Sequence, residues 1–238
     1  MLPRLPDFPT MSLDRIRREY EQDPMLPAVE YAMAHNNLGV ISLSRLDWNA
    51  AEPHFREVIR VWPNNYLGYF NMGRVAAFQF KTNAAMEWWQ AALRRKPDDV
   101  DTLCLLGGAH AAAGDYTNAL AYYDGALRTS PNHPVALSRL AWMLATCPDP
   151  GVRNGPRAVR LAEVLPALSG AVSAHACDVL AAALAEAGRF DEAIACAGKA
   201  LDLLGRPESG RPAEVSRRQE IAERLELYRR RQPYRDTP

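Results

Sequence analysis

Residues 103–131 read LCLLGGAHAAAGDYTNALAYYDGALRTSP, and the spacing of their apolar, small and aromatic positions decides the fold. Leu103, Leu106 and His110, followed by Ala119, Tyr123 and Ala126, recur at the three- and four-residue intervals that bring side chains onto one face of a helix. Pro131 closes the stretch, where a ring that lacks an amide proton and clashes with the preceding turn stops a helix. The stretch therefore predicts two amphipathic helices joined by a turn.

Sliding the chain on itself repeats this unit at one fixed interval. Leu106-Gly107 falls on Leu38-Gly39 and Met72-Gly73 upstream, and on Leu140-Ala141 downstream. The same shift aligns Ala51, Ala85 and Ala119; Phe55, Trp89 and Tyr123; Val58, Ala92 and Ala126; and Pro63, Pro97 and Pro131. A small residue lets two helices approach closely, the aromatic is expected to fill the space between neighbouring hairpins, and the proline ends the second helix. One hairpin cannot bury its apolar face alone, so successive units must stack and share a core.

A fifth unit is marked by Leu180-Ala181, Leu184, residues Ala187 to Ala193, Ala197 and Ala200. The step from Leu140 to Leu180 is six positions longer than the step from Leu106 to Leu140, so the fourth unit is expanded. The excess falls between Thr146 and Pro156, where Pro148, Pro150, Pro156, Gly151 and Gly155 oppose regular helix and predict a long projecting loop. The expected units are 32–65, 66–99, 100–133, 134–173 and 174–207. Residues 1–31 are expected to form an N-terminal arm and cap, with a short helix over Met11 to Gln22 that Ser12 would start. Residues 208–238 are expected to close the last hairpin through a helix over Ala213 to Arg231, with Val215, Ile221, Leu225 and Tyr228 as its apolar stripe.

Composition removes several function classes. Twenty-eight basic and 28 acidic residues cancel, which takes away the global positive field expected of a nucleic-acid or anionic-membrane binder. No run approaches the roughly 18 apolar residues of a membrane span. The opening MLPRLPDFPTMSL is broken by three prolines and lacks the apolar core of an export signal, which makes a cytoplasmic location the expectation. Cys104, Cys147, Cys177 and Cys196 are widely spaced and read as buried thiols rather than a disulfide framework.

The chain contains no P-loop, no GxGxxG after a strand, no GxSxG and no HExxH, and its five histidines are scattered. His175 with Cys177, joined by Cys196 or Cys147, is the nearest approach to a metal-ligand set. Helical hairpins need no metal to fold. The expectation is a non-enzymatic chain with no cofactor and no metal.

From about Ala32 to Pro207, the period and its small, aromatic and proline columns resemble the tetratricopeptide repeat family. The resemblance implies an all-α fold: a right-handed superhelical α-solenoid of about five helical hairpins with N-terminal and C-terminal capping helices. Residues 140–149, Arg153-Asn154-Gly155, Ala158-Val159, residues 225–229 and Pro233-Tyr234-Arg235 are similar to the closing repeats of bacterial multi-repeat proteins. Such arrays sometimes stand behind a membrane glycosyltransferase or sulfatase module.

What the family implies for function is a protein–protein interaction scaffold or adaptor, with a peptide or protein segment held in a concave groove lined by the first helix of each unit. Two alternatives remain open: a regulatory or substrate-targeting domain of an associated enzyme such as a glycosyltransferase, and a self-assembling scaffold that forms homo-oligomers. By the resemblance the groove residues are Asn36, Asn37, Val40 and Leu43 in unit one, Leu67, Phe70, Asn71, Arg74 and Phe78 in unit two, and Ser138, Arg139 and Trp142 in unit four. Asn37 and Asn71, one repeat apart, resemble two rungs of the asparagine ladder of the protein O-glycosyltransferases.

Receptors of this family that grip a chaperone's C-terminal carboxylate would place their contacts at Asn36, Val40, Asn71, Asp101 and Leu105. That set holds no cation, and Asp101 would repel a carboxylate, so units one to three are not expected to bind such tails. A mixed peptide or an amphipathic helix is the expected partner, with no nucleic acid and no membrane insertion. Trp48, Trp89 and Tyr123 fall on packing columns and are assigned to the core.

Overall fold

The computed structural model describes residues 28–168, 173–205 and 212–236. Eleven α-helices lie among them: α1 (Ala28–Ser44), α2 (Trp48–Val61), α3 (Tyr66–Phe78), α4 (Thr82–Leu93), α5 (Val100–Ala112), α6 (Tyr116–Thr129), α7 (Pro134–Thr146), α8 (Gly155–Leu168), α9 (Ala174–Glu186), α10 (Phe190–Leu204) and α11 (Pro212–Arg229). The first ten pair in sequence as five hairpins, and α11 packs against α10. The expected helix over Met11 to Gln22 lies outside the described residues. Contacts divide the chain into two compact units, one ending at Pro97 and the other beginning at Asp98.

Short polar side chains start most of the helices. The carboxylates of Asp47, Asp99 and Asp115 accept from the amides of Ala50, Thr102 and Asn118, and the side chains of Asn65, His133 and Ser173 do the same for Leu67, Ala136 and Ala176. Each satisfies an amide that the first helical turn leaves without a partner.

The sequence columns have a sharper geometry than the one expected of them. A Cβ on Gly39 would fall 2.5 Å from the ring of Phe55, one on Gly73 would run into Nε1 of Trp89, and one on Gly107 would fall 2.8 Å from the ring of Tyr123. Each aromatic thus lies against the glycine of its own hairpin, where no larger residue fits. Phe55 also reaches the next hairpin, being buried with Met72 and Val75.

The two units differ in how far burial extends. In the second unit one buried cluster runs from Ala119 and Tyr123 through Leu140, Leu144, Ala162, Val179 and Leu184 to Ile221, Leu225 and Tyr228. The first unit holds smaller clusters, one of Leu43, Ala51, Phe55, Met72 and Val75 and another of Tyr69, Ala91 and Ala92.

One expectation is sharpened and one is corrected. The six-residue expansion in the fourth hairpin forms the expected loop, exposed from Pro148 to Gly151 and tied down at its ends. It folds back, with the amide of Asn154 donating to the carbonyl of Leu144 at 2.8 Å and Arg153 Nη1 donating to the carbonyls of Cys147 and Pro148 at 2.9 and 3.0 Å. Prolines exclude helix from this loop, and the arginine consumes carbonyls that would otherwise need water. Val215 is exposed and does not belong to the buried stripe of α11, which begins at Ile221. At ~100° per residue, six positions place Val215 roughly 120° round the helix from Ile221.

All four cysteines are free thiols. Cys104, Cys147 and Cys177 are buried, and loss of water raises the Cys104 thiol to about 11. Among the described residues no helix is long and apolar enough to cross a membrane, and no group of three or more His, Cys, Asp or Glu gathers as metal ligands.

Candidate functional site

The first helices of the hairpins carry one set of candidate side chains in each unit. In the first unit, Asn37 and Val40 stand exposed on α1, Leu67, Phe70 and Arg74 are half-buried on α3, and Phe78 is exposed at its end. The Arg74 guanidinium lies 6.0 Å from the centroid of the Phe70 ring and donates to Asn71 Oδ1 at 3.1 Å. Asn71 Nδ2 in turn donates to Asn36 Oδ1 at 2.9 Å. An amide relay therefore joins α1 to α3 and ends on a cation.

That relay corrects the groove assignments of Asn36 and Asn71. They are 8% and 3% exposed, and the Asn71 carboxamide is already engaged on both sides. Asn37 is exposed, although the repeat places it in register with Asn71. The difference is positional: Asn71 has the preceding helix α1 to face, and Asn37 has no described helix on that side. Leu43 is also removed from the open face, since at 2% exposure it packs with Phe55 and Met72. Trp89 and Tyr123 are buried and Trp48 is half-buried.

In the second unit, Ser138 is buried and its Oγ lies 2.7 Å from Nε2 of His175 on α9, while Arg139 is exposed. Trp142 is half-buried, and its Nε1 donates to Asp236 Oδ2 at 2.8 Å. The extended residues after α11 thus return across α7. Tyr234 stacks at a tilt on Trp142 with centroids 6.0 Å apart, and the amide of Asp236 donates to the carbonyl of Thr146 at 2.8 Å. Arg235 pairs with Glu186 at 2.7 Å, and Glu186 also accepts from Arg153 of the folded-back loop at 3.1 Å. One carboxylate at the end of α9 therefore fastens both irregular segments.

Beneath this lies a bidentate ion pair. Arg224 of α11 donates to both carboxylate oxygens of Asp178 on α9, at 3.1 and 2.8 Å, with the two side chains only 7% and 10% exposed. Its guanidinium carbon lies 5.2 Å from the Trp142 ring centroid and 5.4 Å from that of Tyr234. Burial pushes the Asp178 carboxyl above its usual range against the opposing pull of Arg224. Loss of water likewise lowers His175, where Asp178 opposes the shift and Arg217 and Arg139 add to it.

Between α7, α9 and α11 opens a cleft of about 510 Å³. A second cleft of about 260 Å³ lies on the other side of Trp142, bounded by Gly108, Tyr123 and Asp236.

Sequence reasoning missed the Asp178–Arg224 pair and the seat of the tail. The signal was present: Asp178 interrupts the otherwise apolar face of α9 that runs on from Val179 to Ala185, and Arg224 stands between Ile221 and Leu225 on the buried stripe of α11. Two charges of opposite sign at core positions need one another.

Models of the tetratricopeptide repeat match residues 81–134 and 173–206. Over these residues the chain carries tetratricopeptide repeats. Solved structural neighbours carry the same all-α repeat solenoid fold. YrrB, described as a TPR protein with an unusual peptide-binding site, superposes with a TM-score of 0.61 at 16% identity, over 88% of this chain and 98% of its own. MamA gives 0.59 at 16% identity over 76% and 97%. TTC0263, a thermophilic TPR protein of Thermus thermophilus, gives 0.58 at 19% identity over 81% and 99%. No curated protein matches the sequence. In repeat terms, Phe70, Asn71 and Arg74 lie on the first helix of the second repeat, and Ser138, Arg139 and Trp142 on that of the fourth.

Proposed function

We propose that this repeat array is an interaction scaffold that holds peptide or protein segments on the faces formed by the first helices of its hairpins. The observation that carries this reading is the side-chain mix on α1 and α3. Val40 on α1 and Phe78 on α3 stand exposed, and a half-buried arginine on α3 is set over Phe70 and braced by an amide relay. Aromatic and arginine side chains held in place by neighbours are the types that dominate binding energy at interfaces. Met33, also exposed on α1, adds a side chain that adapts to irregular apolar partners. The peptide-binding site named for YrrB supports the same reading for a fold of this kind.

A peptide library panned against the full chain tests it. Peptides selected by the wild type should bind at least about tenfold more weakly when Phe70→Ala and Arg74→Ala are combined. Unchanged recovery by that double variant, with the fold intact by circular dichroism, rejects the α1/α3 face as the site.

A further inference from the structure

The cleft between α7, α9 and α11 holds charges that the fold uses and charges that it does not. Asp178 and Arg224 neutralise each other in their buried bidentate pair, and Ser138 is bonded to His175. Arg139 on α7 and Arg217 on α11 both line the cleft, are exposed, and make no ion pair or hydrogen bond among the described residues. The other carboxylate of the lining, Glu220, accepts from Ser216 on its own helix at 3.3 Å. Three guanidinium groups therefore face two carboxylates, and two of the three are free. Next to them Pro134, Val135 and Leu165 supply an apolar wall, with Val135 half open to solvent.

The α7 face already accepts an extended segment that carries a carboxylate. The chain's own Tyr234, Arg235 and Asp236 lie against α7 beside the second cleft, with Asp236 bonded to Trp142, the side chain that the two clefts share. From the unspent cations, the apolar wall and this intramolecular precedent, we infer that the cleft docks an acidic segment of a partner protein. Arg139 and Arg217 hold one of its carboxylate side chains, and Val135 and Leu165 cover a neighbouring apolar residue. This rests on the scaffold reading above and names the partner's chemistry. A lone phosphate would meet the guanidinium groups and leave the apolar wall bare.

The site also has a proton linked to it. His175 is faced by Ser138 and Arg139 from α7, Asp178 on its own helix, and Arg217, Glu220 and Arg224 from α11. A bound carboxylate neutralises the two guanidinium groups that oppose protonation of the ring. His175 then takes up a proton more readily in the complex than in the free chain, so affinity must rise as pH falls toward about 6.

The test measures fluorescence anisotropy of labelled short peptides on the full chain, comparing one that alternates Glu with Leu against its Gln counterpart. The Glu peptide should bind at least about tenfold more tightly than the Gln peptide. Arg139→Ala with Arg217→Ala should remove that preference, while Phe70→Ala with Arg74→Ala leaves it in place. Arg139→Glu with Arg217→Glu should transfer the preference to a Lys and Leu peptide, which separates charge recognition from misfolding. His175→Gln should abolish the gain in affinity between pH about 7.5 and about 6. Equal binding of the Glu and Gln peptides, or indifference to the Arg139 and Arg217 variants, overturns the acidic docking site and leaves the scaffold reading standing. Displacement of the peptide by inorganic phosphate alone, with the same arginine dependence, reassigns the cleft to small anions and overturns it as well. If no peptide of any charge binds, both readings fall.

Discussion

The second hairpin turns at Phe80, with φ 59° and 94% of the side chain exposed, whereas the third turns at Gly114 with φ 76°. The same contrast separates the first hairpin, which turns at Leu46 with φ 60° and 64% exposure, from the fifth, which turns at Gly188 with φ 77°. All four hairpins need a left-handed residue at this point, and only the second unit supplies the type that adopts it without steric cost. The units differ in the same sense elsewhere. The second has one continuous core, a buried ion pair and two irregular segments fastened to Glu186. The first divides its burial among smaller clusters and leaves Met33, Val40, Ile41, Leu46, Phe78 and Phe80 exposed. One repeat pattern thus serves a unit with one continuous core and another whose burial is divided and whose exposed large apolar side chains are more numerous among the described residues.

The largest effect should come from breaking what only the second unit has. Asp178→Ala leaves Arg224 buried without its partner and should cost about 3–5 kcal/mol in urea unfolding. Asp178→Leu with Arg224→Met should recover most of that loss, because a buried pair is expensive to halve and cheap to replace. A loss under about 1 kcal/mol for the single variant would mean that water reaches the pair.

A smaller effect is expected where the units are alike. Gly73→Ala places a methyl group against Trp89 and should destabilise the first unit by about 1–3 kcal/mol, as Gly107→Ala should the second through Tyr123. A neutral result at either would show that the ring can withdraw from its glycine.

The turn contrast can be removed from both sides. Phe80→Gly and Leu46→Gly should each stabilise by about 0.5–1 kcal/mol, and Gly114→Phe should destabilise by about 1–2 kcal/mol, all read from thermal melts. A destabilising Phe80→Gly would instead assign that ring a contact that stabilises the fold.

The smallest effect concerns protons in the first unit. His35 Nδ1 and His54 Nδ1 lie 3.0 Å apart, so one ring must accept, and loss of water lowers the pKa of His54 below its ordinary 6.5. Because the folded value lies below the unfolded one, the stability associated with neutral His54 is intact above about pH 6.5 and declines as pH falls through the folded value. His54→Gln should flatten that decline between about pH 7 and 5.

Much of this was legible in the sequence because close packing repeats. Gly39, Gly73 and Gly107, each with its aromatic partner further along the same hairpin, form a pattern that only stacked helices require, and from them follow the period, the hairpins and most of the core. The candidate site was less legible. Asn37 and Asn71 have the same register but opposite burial, because among the described residues Asn71 has α1 to face and Asn37 has no preceding helix. Leu43 carries the apolar character of a groove residue and lies in the core. Trp142 belongs wholly to neither groove nor core: it is half-buried under Tyr234 and bonded to Asp236, far along the chain. The expansion after Thr146 signalled a loop, but nothing local said that Arg153 and Glu186 would hold it down.

By itself the sequence determined the all-helical repeat, since helix periodicity and the glycine, aromatic and proline columns are local constraints that each hairpin must satisfy within its own length. Only the tertiary structure decided which charges are consumed and which remain. Asp178 meets Arg224 and Glu186 meets Arg235, each with the whole of α10 between them in the chain, while Arg139 and Arg217 meet no partner of their own among the described residues. An ion pair depends on distance in space rather than along the chain. The free cations of the cleft therefore appear only after folding has used the others.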